Sequence, residues 1–213
     1  MRQSAVSFNA DGLSFEGIVA CPSDAPATVP GVVICHPHPL HGGNMDNNVV
    51  LAVSFTLAEQ GIASLRFNFR GVGNSQGQHT KGELEHHEAL AAFDFLQSWP
   101  GVDRRRLGLA GYSFGTRVIL ANPALQKRAK AIALVSPSIE ALEASPLTKD
   151  KRPSFIITGG RDKLAQSKAW PSVLDTFAQR PGSHVEPSAD HFWVGQEVLM
   201  AEKVAQFLSQ HLV

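Results

Sequence analysis

The stretch Gly111-Tyr112-Ser113-Phe114-Gly115 decides the fold class of this chain. It follows an apolar run, residues 107–110, and precedes a helix-like run, residues 116–121. A strand, a sharp turn and a helix in this order form a nucleophile elbow, in which the turn lifts a serine hydroxyl above the sheet. Glycines two residues before and after the serine leave room where the strand and helix backbones approach closely. We therefore predict that Ser113 is a nucleophile and that the Phe114 N–H faces an incoming carbonyl oxygen.

Two further residues after predicted strands fit the chemistry of a serine nucleophile. Asp162 follows the apolar run 154–158 on a Gly-Gly turn, and His191 precedes the C-terminal amphipathic segment. Serine reacts poorly until a neutral imidazole accepts its proton, and a buried carboxylate orients that imidazole. The chain thus carries a candidate triad of Ser113, His191 and Asp162. Asp190 is a rival acid, but a side chain adjacent in sequence rarely reaches the ring nitrogen of its neighbour, so we prefer Asp162.

The loop His36-Pro37-His38-Pro39-Leu40-His41-Gly42-Gly43 follows the apolar strand 32–35. A loop at this position is expected to supply the second N–H of an oxyanion hole, and Phe114 supplies the first. The two prolines have no N–H and stiffen the loop. The second donor is therefore His38 or Leu40, and we favour His38.

The same loop has a competing interpretation as a metal site. His36, His38 and His41 resemble a histidine ligand set, but no acidic ligand accompanies them. Cys35 lies within the apolar strand and is expected to face the core. Because a metal would duplicate the chemistry of the serine, we predict neither a metal nor a cofactor.

Taken together, these motifs resemble the small α/β-hydrolase-fold serine hydrolases, most closely a compact, lidless bacterial group with a His-Pro-His-Pro-x-x-Gly-Gly loop. The order Ser…Asp…His agrees with that family. The resemblance implies the fold and a serine-hydrolase mechanism, but no particular substrate. Asn68 is a departure, since many members of the wider superfamily carry aspartate there, and it is expected to change how the loop is held. The matching segments span nearly the whole chain: 36–48, 66–75, 111–115, 159–162 and 190–192.

Alternating apolar and helical patterns predict one domain, residues 1–213, with an α/β-hydrolase fold. Its sheet is doubly wound and mostly parallel, with an N-terminal antiparallel hairpin formed by residues 6–8 and 13–18. Residues 138–152, the usual place for a lid domain, are too few to form one. The predicted parallel strands are 32–35, 63–69, 107–110, 132–135 and 155–158, and the predicted helices are 49–60, 83–99, 116–125, 165–180 and 197–211.

Composition predicts a cytoplasmic enzyme with a sizeable core. The 213 residues are 43% hydrophobic and the formal net charge is zero, so we predict neither a nucleic-acid partner nor a membrane partner. Cys21 and Cys35 do not suggest a disulfide framework. The first residues lead directly into an alternating strand pattern, so we expect no apolar leader segment. The segment around His86 and His87 contains three glutamates and is interpreted as a solvated helix face.

An open site suits a small-molecule acyl substrate. We expect Leu40, Met45, Phe192 and Trp193 to contact that substrate. The sequence therefore predicts a carboxylesterase-like serine hydrolase that acts through an acyl-enzyme. A small peptidase or thioesterase on the same triad is an alternative, and a non-catalytic binding protein with this fold is another. The pattern leaves the oligomeric state open.

Overall fold

The computed structural model describes residues 1–23, 28–165 and 167–213, and within them an eight-stranded sheet carries helices on both faces. The strands are β1 (Arg2–Ala10), β2 (Leu13–Cys21), β3 (Val29–Cys35), β4 (Ala63–Phe67), β5 (Val102–Tyr112), β6 (Ile132–Val135), β7 (Ser154–Gly159) and β8 (Gly182–Glu186). The α-helices are α1 (Asn48–Glu59), α2 (Glu85–Gln97), α3 (Phe114–Ala121), α4 (Pro123–Arg128), α5 (Ile139–Glu143), α6 (Trp170–Leu174) and α7 (Glu197–Leu212).

The strand order is β1-β2-β4-β3-β5-β6-β7-β8. The pairs β1–β2 and β2–β4 are antiparallel, and every pair from β4 to β8 is parallel. At the hairpin turn Asp11 and Gly12 both have positive φ, 51° and 76°, as the tight connection requires. The predicted α/β-hydrolase fold, with its mostly parallel sheet and antiparallel N-terminal hairpin, is confirmed.

The continuous apolar runs arise because the central strands are covered on both faces. In β3, Val33 and Cys35 pack into the core beneath α2 and α3, while Val32 and Ile34 pack into the core beneath α1 and α7. Successive side chains of a strand point to opposite faces. A strand buried on both sides therefore needs apolar residues at every position.

Two predicted helices differ from the observed ones. The predicted helix 116–125 ends earlier, because Asn122 caps a new helix at Leu125 N and Pro123 occupies its first turn. The predicted helix 165–180 is reduced to a 3₁₀ turn, Ser167–Ala169, followed by the short α6. Residue 166 of that prediction lies outside the described residues.

The segment 138–152 forms only α5 and a 3₁₀ turn, Pro146–Lys149, each capped by a serine at its N-terminus. The prediction that this segment is too short for a lid domain agrees with these elements. Among the residues that the structure describes, no helix has the length and apolar character that would let it cross a membrane.

Candidate active site

Ser113 lies at the junction of β5 and α3 in an unusual backbone conformation, with φ of 52° and ψ of −113°. A non-glycine residue with positive φ stores strain of roughly 1–3 kcal/mol and persists only where its surroundings hold it. Those surroundings leave no space for larger neighbours. A Cβ at Gly115 would lie 2.2 Å from Cys35 O, and one at Gly111 would lie 2.9 Å from the Gly115 backbone. Both glycines of the motif are therefore sterically required.

A continuous hydrogen-bonded chain joins Ser113, His191 and Asp162. His191 Nε2 lies 2.9 Å from Ser113 Oγ, and His191 Nδ1 lies 2.8 Å from Asp162 Oδ2. A hydrogen bond to β5 fixes the loop that carries His191, since Tyr112 Oη donates to His191 O at 2.7 Å. The structure thus brings together the three residues that the sequence singled out from three separate loops.

Asp162 is almost completely buried and fully engaged. Its Oδ1 accepts hydrogen bonds from Leu164 N and Ala165 N, both at 2.9 Å, and Thr158 Oγ1 donates to Oδ2 at 3.2 Å. Burial opposes ionisation of this carboxyl, but the hydrogen bonds from His191 and from Ala165 N outweigh it and lower the pKa of Asp162. The side chain is therefore a carboxylate that accepts from His191 at neutral pH.

The rival acid, Asp190, has a different role in the structure. Its Oδ1 accepts from Phe192 N at 2.9 Å and from Trp193 N at 3.2 Å. Asp190 therefore shapes the turn that follows His191, whereas Asp162 makes the contact with the ring nitrogen.

The two candidate oxyanion donors lie beside Ser113. Phe114 N begins α3, and neither it nor His38 N donates a hydrogen bond to any group within residues 1–23, 28–165 and 167–213. Leu40 N, the alternative donor, is already engaged, because it donates to His38 Nδ1 at 3.2 Å. The geometry favours His38 over Leu40 as the second donor.

His36 is held in a way that argues against metal ligation. Its Nδ1 donates to Pro37 O at 2.6 Å, and its Nε2 accepts from Phe69 N at 3.0 Å. Both nitrogens are thus occupied by backbone groups. Burial lowers the pKa of His36 to about 4, partly opposed by the bond to Pro37 O, so the ring is neutral. In the described part of the chain, no group of three or more histidine, cysteine, aspartate or glutamate side chains is arranged to hold a metal ion.

Two clefts meet at Ser113 and His191. The wide cleft, about 620 Å³, is lined by Pro37, His38, His41, Gly43, Asn47, Tyr112, Ser113, Leu164, His191 and Phe192. The narrow cleft, about 190 Å³, is lined by His38, Ser113, Phe114, Thr116, Arg117, Ser136, Ser138, Leu164 and His191. Sequence reasoning missed Arg117, Ser138 and Leu164, because no motif marks residues that reach the site from a helix or a neighbouring loop.

Of the four predicted substrate contacts, only Phe192 lines a cleft. Trp193 is fully buried in the core and donates from Nε1 to Ser136 Oγ at 3.1 Å. Met45 is also buried, and Leu40 is exposed but lies outside both clefts. The prediction for these three residues is corrected. Neighbouring positions of one turn point in opposite directions, which a sequence pattern without periodicity does not reveal.

The interpretation of the segment around His86 as a solvated face is wrong for Glu85 and Glu88, whereas Glu83 is exposed and His86 and His87 are partly exposed. Glu85 and Glu88 are fully buried. Glu88 pairs with the buried Arg70 at 2.6 Å, and Glu85 accepts from Thr80 N at 2.7 Å. A charged residue is buried only when its partners compensate for lost hydration, and the partner of Glu88 lies 18 residues away in the chain.

With this geometry established, comparison with known proteins identifies the class. The chain belongs to the family described as "Alpha/beta hydrolase domain", which matches residues 31–205. Over its whole length it resembles the Xanthomonas campestris protein XC6422, an α/β serine hydrolase without a lid, with a TM-score of 0.86, 25% identity and 96% of that chain covered.

Two further relatives agree with this class. An α/β serine hydrolase homologue from Coxiella burnetii matches with a TM-score of 0.84 and 28% identity, over 97% of each chain. An uncharacterized Rickettsia prowazekii protein is 31% identical over 77% of this chain and 72% of its own length. The protein is therefore an α/β hydrolase whose neighbours are of the serine-hydrolase type.

Proposed function

We propose that this protein hydrolyses small carboxylic esters through an acyl-enzyme formed on Ser113. The observation that carries the proposal is the chain of contacts from Asp162 through His191 to Ser113, at 2.8 and 2.9 Å. These distances lie within the hydrogen-bonding range expected of a nucleophile, its general base and the group that orients the base.

The reaction follows from the groups at the site. His191 Nε2 accepts the hydroxyl proton as Ser113 Oγ attacks the ester carbonyl carbon, and the N–H groups of Phe114 and His38 stabilise the oxyanion. His191 then donates that proton to the departing alcohol, which leaves the acyl group on Ser113. Water attacks the acyl-enzyme with His191 again as base, and the carboxylic acid departs with the serine restored.

The clefts favour an ester over a peptide. Neither the wide nor the narrow cleft has a carboxylate among the described residues that line it, so a peptide amine finds no ionic anchor there. The small volume of the narrow cleft limits the buried chain, and each buried methylene contributes only ~0.8 kcal/mol while the wall continues. We expect acyl chains of about two to six carbons to react best.

A fluorophosphonate tests the proposal, because it labels an activated serine covalently. We expect stoichiometric labelling and loss of ester hydrolysis, with activity unaffected by exhaustive chelation. Ser113→Ala should lower turnover by a factor on the order of 10⁶ without unfolding the protein, and the surface control Ser172→Ala should not. A folded Ser113→Ala protein with near wild-type turnover would refute the proposed nucleophile.

A further inference from the structure

One cationic side chain beside Ser113 has no part in the mechanism above. Arg117 lies in the first turn of α3, is exposed, and lines the narrow cleft. The ion pairs found among the described residues do not include it. A cation in the first turn of a helix is unfavourable, because the helix dipole is already positive there. Helix stability therefore does not explain why arginine occupies this position.

The Arg117 side chain lies close to the loop that precedes α2. A Cβ built at Gly82 would lie 3.7 Å from Arg117 Nε, so the arginine side chain passes beside this glycine. Burial lowers the pKa of His38, and the nearby positive charge of Arg117 lowers it further. The charge of Arg117 thus acts on the region of the candidate oxyanion donors.

A second donor lies at the same place. Ser138 lines the narrow cleft together with Arg117, and these two residues also line an outer cleft of about 580 Å³ that continues from it. Ser138 Oγ accepts from Ala141 N at 3.3 Å, which leaves its own hydroxyl proton available. A fork of guanidinium N–H groups beside a hydroxyl matches the oxygens of a carboxylate.

The two clefts differ in their linings beside His191. His191, which must protonate the departing alcohol, lines both of them. Tyr112 and Phe192, whose rings lie 5.7 Å from the His191 ring, line only the wide cleft, and Arg117 lines only the narrow one. We therefore place the alcohol in the wide cleft. The acyl chain then extends along the narrow cleft toward Arg117.

We propose that the preferred substrates are half-esters of short dicarboxylic acids, whose free carboxylate is bound by Arg117 with the help of Ser138. This inference rests on the proposed ester hydrolysis and names its substrate class. The outer cleft sets the length of the acid, because the exposed Glu140 lines it and repels a carboxylate that extends beyond Arg117.

The test compares ethyl hydrogen glutarate with ethyl pentanoate, which have acyl chains of equal carbon number and differ in the terminal carboxylate. The measured quantity is the ratio of their kcat/KM values. We expect the wild-type ratio to exceed one and to fall by roughly tenfold or more in Arg117→Gln, the loss expected for a charge-assisted hydrogen bond. Arg117→Lys should retain part of the preference, and Arg104→Gln, an exposed arginine outside the site, should leave the ratio unchanged.

The outcomes separate the two proposals. Pentanoate hydrolysis that depends on Ser113, together with a ratio that Arg117→Gln does not change, would refute the substrate class and leave ester hydrolysis standing. An Arg117 dependence seen only for an acetyl ester of a hydroxy acid, whose carboxylate is on the alcohol side, would refute the assignment of the acyl chain to the narrow cleft. Absence of ester hydrolysis and of fluorophosphonate labelling in the wild type would refute the proposed function itself.

Discussion

The structure contains two largely buried carboxylate–histidine pairs with the same contact distance. Asp162 Oδ2 is 2.8 Å from His191 Nδ1, and Glu85 Oε1 is 2.8 Å from His79 Nδ1. The two pairs differ in the group that contacts the imidazole on the side away from the carboxylate. His191 Nε2 faces Ser113 Oγ at 2.9 Å, whereas the His79 ring packs against the His38 ring, with 5.0 Å between centroids.

The second pair is therefore suited to support rather than to chemistry. Glu85 accepts from Thr80 N, Thr80 Oγ1 and Gly82 N at 2.7 to 2.8 Å, which fixes the loop before α2. Neither nitrogen of His79 makes a well-formed hydrogen bond with the described residues. A carboxylate–histidine pair can act in catalysis only when the second imidazole nitrogen lies within hydrogen-bonding distance of a reacting atom, because proton transfer needs that contact.

The first prediction breaks the pair that faces Ser113. Asp162→Asn should lower ester turnover by about 10⁴, because an amide does not stabilise the protonated imidazole and favours the wrong tautomer. Steady-state hydrolysis of a short-chain ester, with thermal unfolding as a check of folding, measures the effect. Asp190→Asn is the matched control and should retain most activity. The reverse result, with loss only in Asp190→Asn, would mean that the other aspartate orients the imidazole.

The second prediction concerns His36, which lies beside the second pair. Burial lowers the pKa of His36 to about 4 in the folded protein, below the ordinary histidine value of about 6.5. At a pH between about 4 and 6.5, the unfolded chain therefore binds a proton at His36 that the folded protein does not bind. The free energy of unfolding keeps its full contribution from His36 above pH ~6.5 and loses up to about 3 kcal/mol as the pH falls toward 4.

Urea unfolding at several pH values between 7 and 4.5 measures this loss. His36→Asn should show a flatter decrease in the free energy of unfolding than the wild type. The exposed His211→Asn should follow the wild-type curve. Parallel curves for wild type and His36→Asn would show that His36 is not the group that couples folding to protonation.

The third prediction, smaller in size, breaks the supporting pair. Glu85→Gln should reduce the free energy of unfolding by about 1–3 kcal/mol, because buried donors lose a charged acceptor, while kcat/KM changes by less than about tenfold. Denaturant unfolding and ester kinetics on one preparation give both values, and the exposed Glu83→Gln is the control. A drop in activity as large as that of Asp162→Asn would show that the second pair takes part in the chemistry.

Sequence patterns with a local physical cause predicted the structure well. The apolar runs marked the five parallel strands from β3 to β7, since burial on both faces demands apolar residues at every position. Short elements with weak patterns were missed, among them α5 and the edge strand β8, whose residues are partly exposed. The segment 116–125 was read as one helix although Pro123 interrupts it, because the apolar pattern continues across the break.

Some residues of the candidate site were predicted correctly and others were not, again depending on whether a local sequence pattern marks them. Ser113 and Asp162 were identifiable because each follows a predicted strand at the edge where the ends of parallel strands meet. His191 was identifiable from its order after Ser113 and Asp162 and its place before the C-terminal helix. The interior position of Trp193 was not identifiable, because it depends on a contact with Ser136, which is distant in sequence. The partners of Glu85 are close in sequence, but the burial of their loop depends on packing against α3, where the His79 ring contacts Phe114.

The sequence by itself determined the elbow, because the clearance that Gly111 and Gly115 provide is a local property of the backbone. It also determined the alternation of strands and helices, through hydrophobic periodicity within short windows. Only the tertiary structure decided that Asp162 rather than Asp190 contacts His191, and that Arg117 lines the narrow cleft. These outcomes depend on the directions of side chains from separate loops that meet at one edge of the sheet, and folding alone brings those loops together.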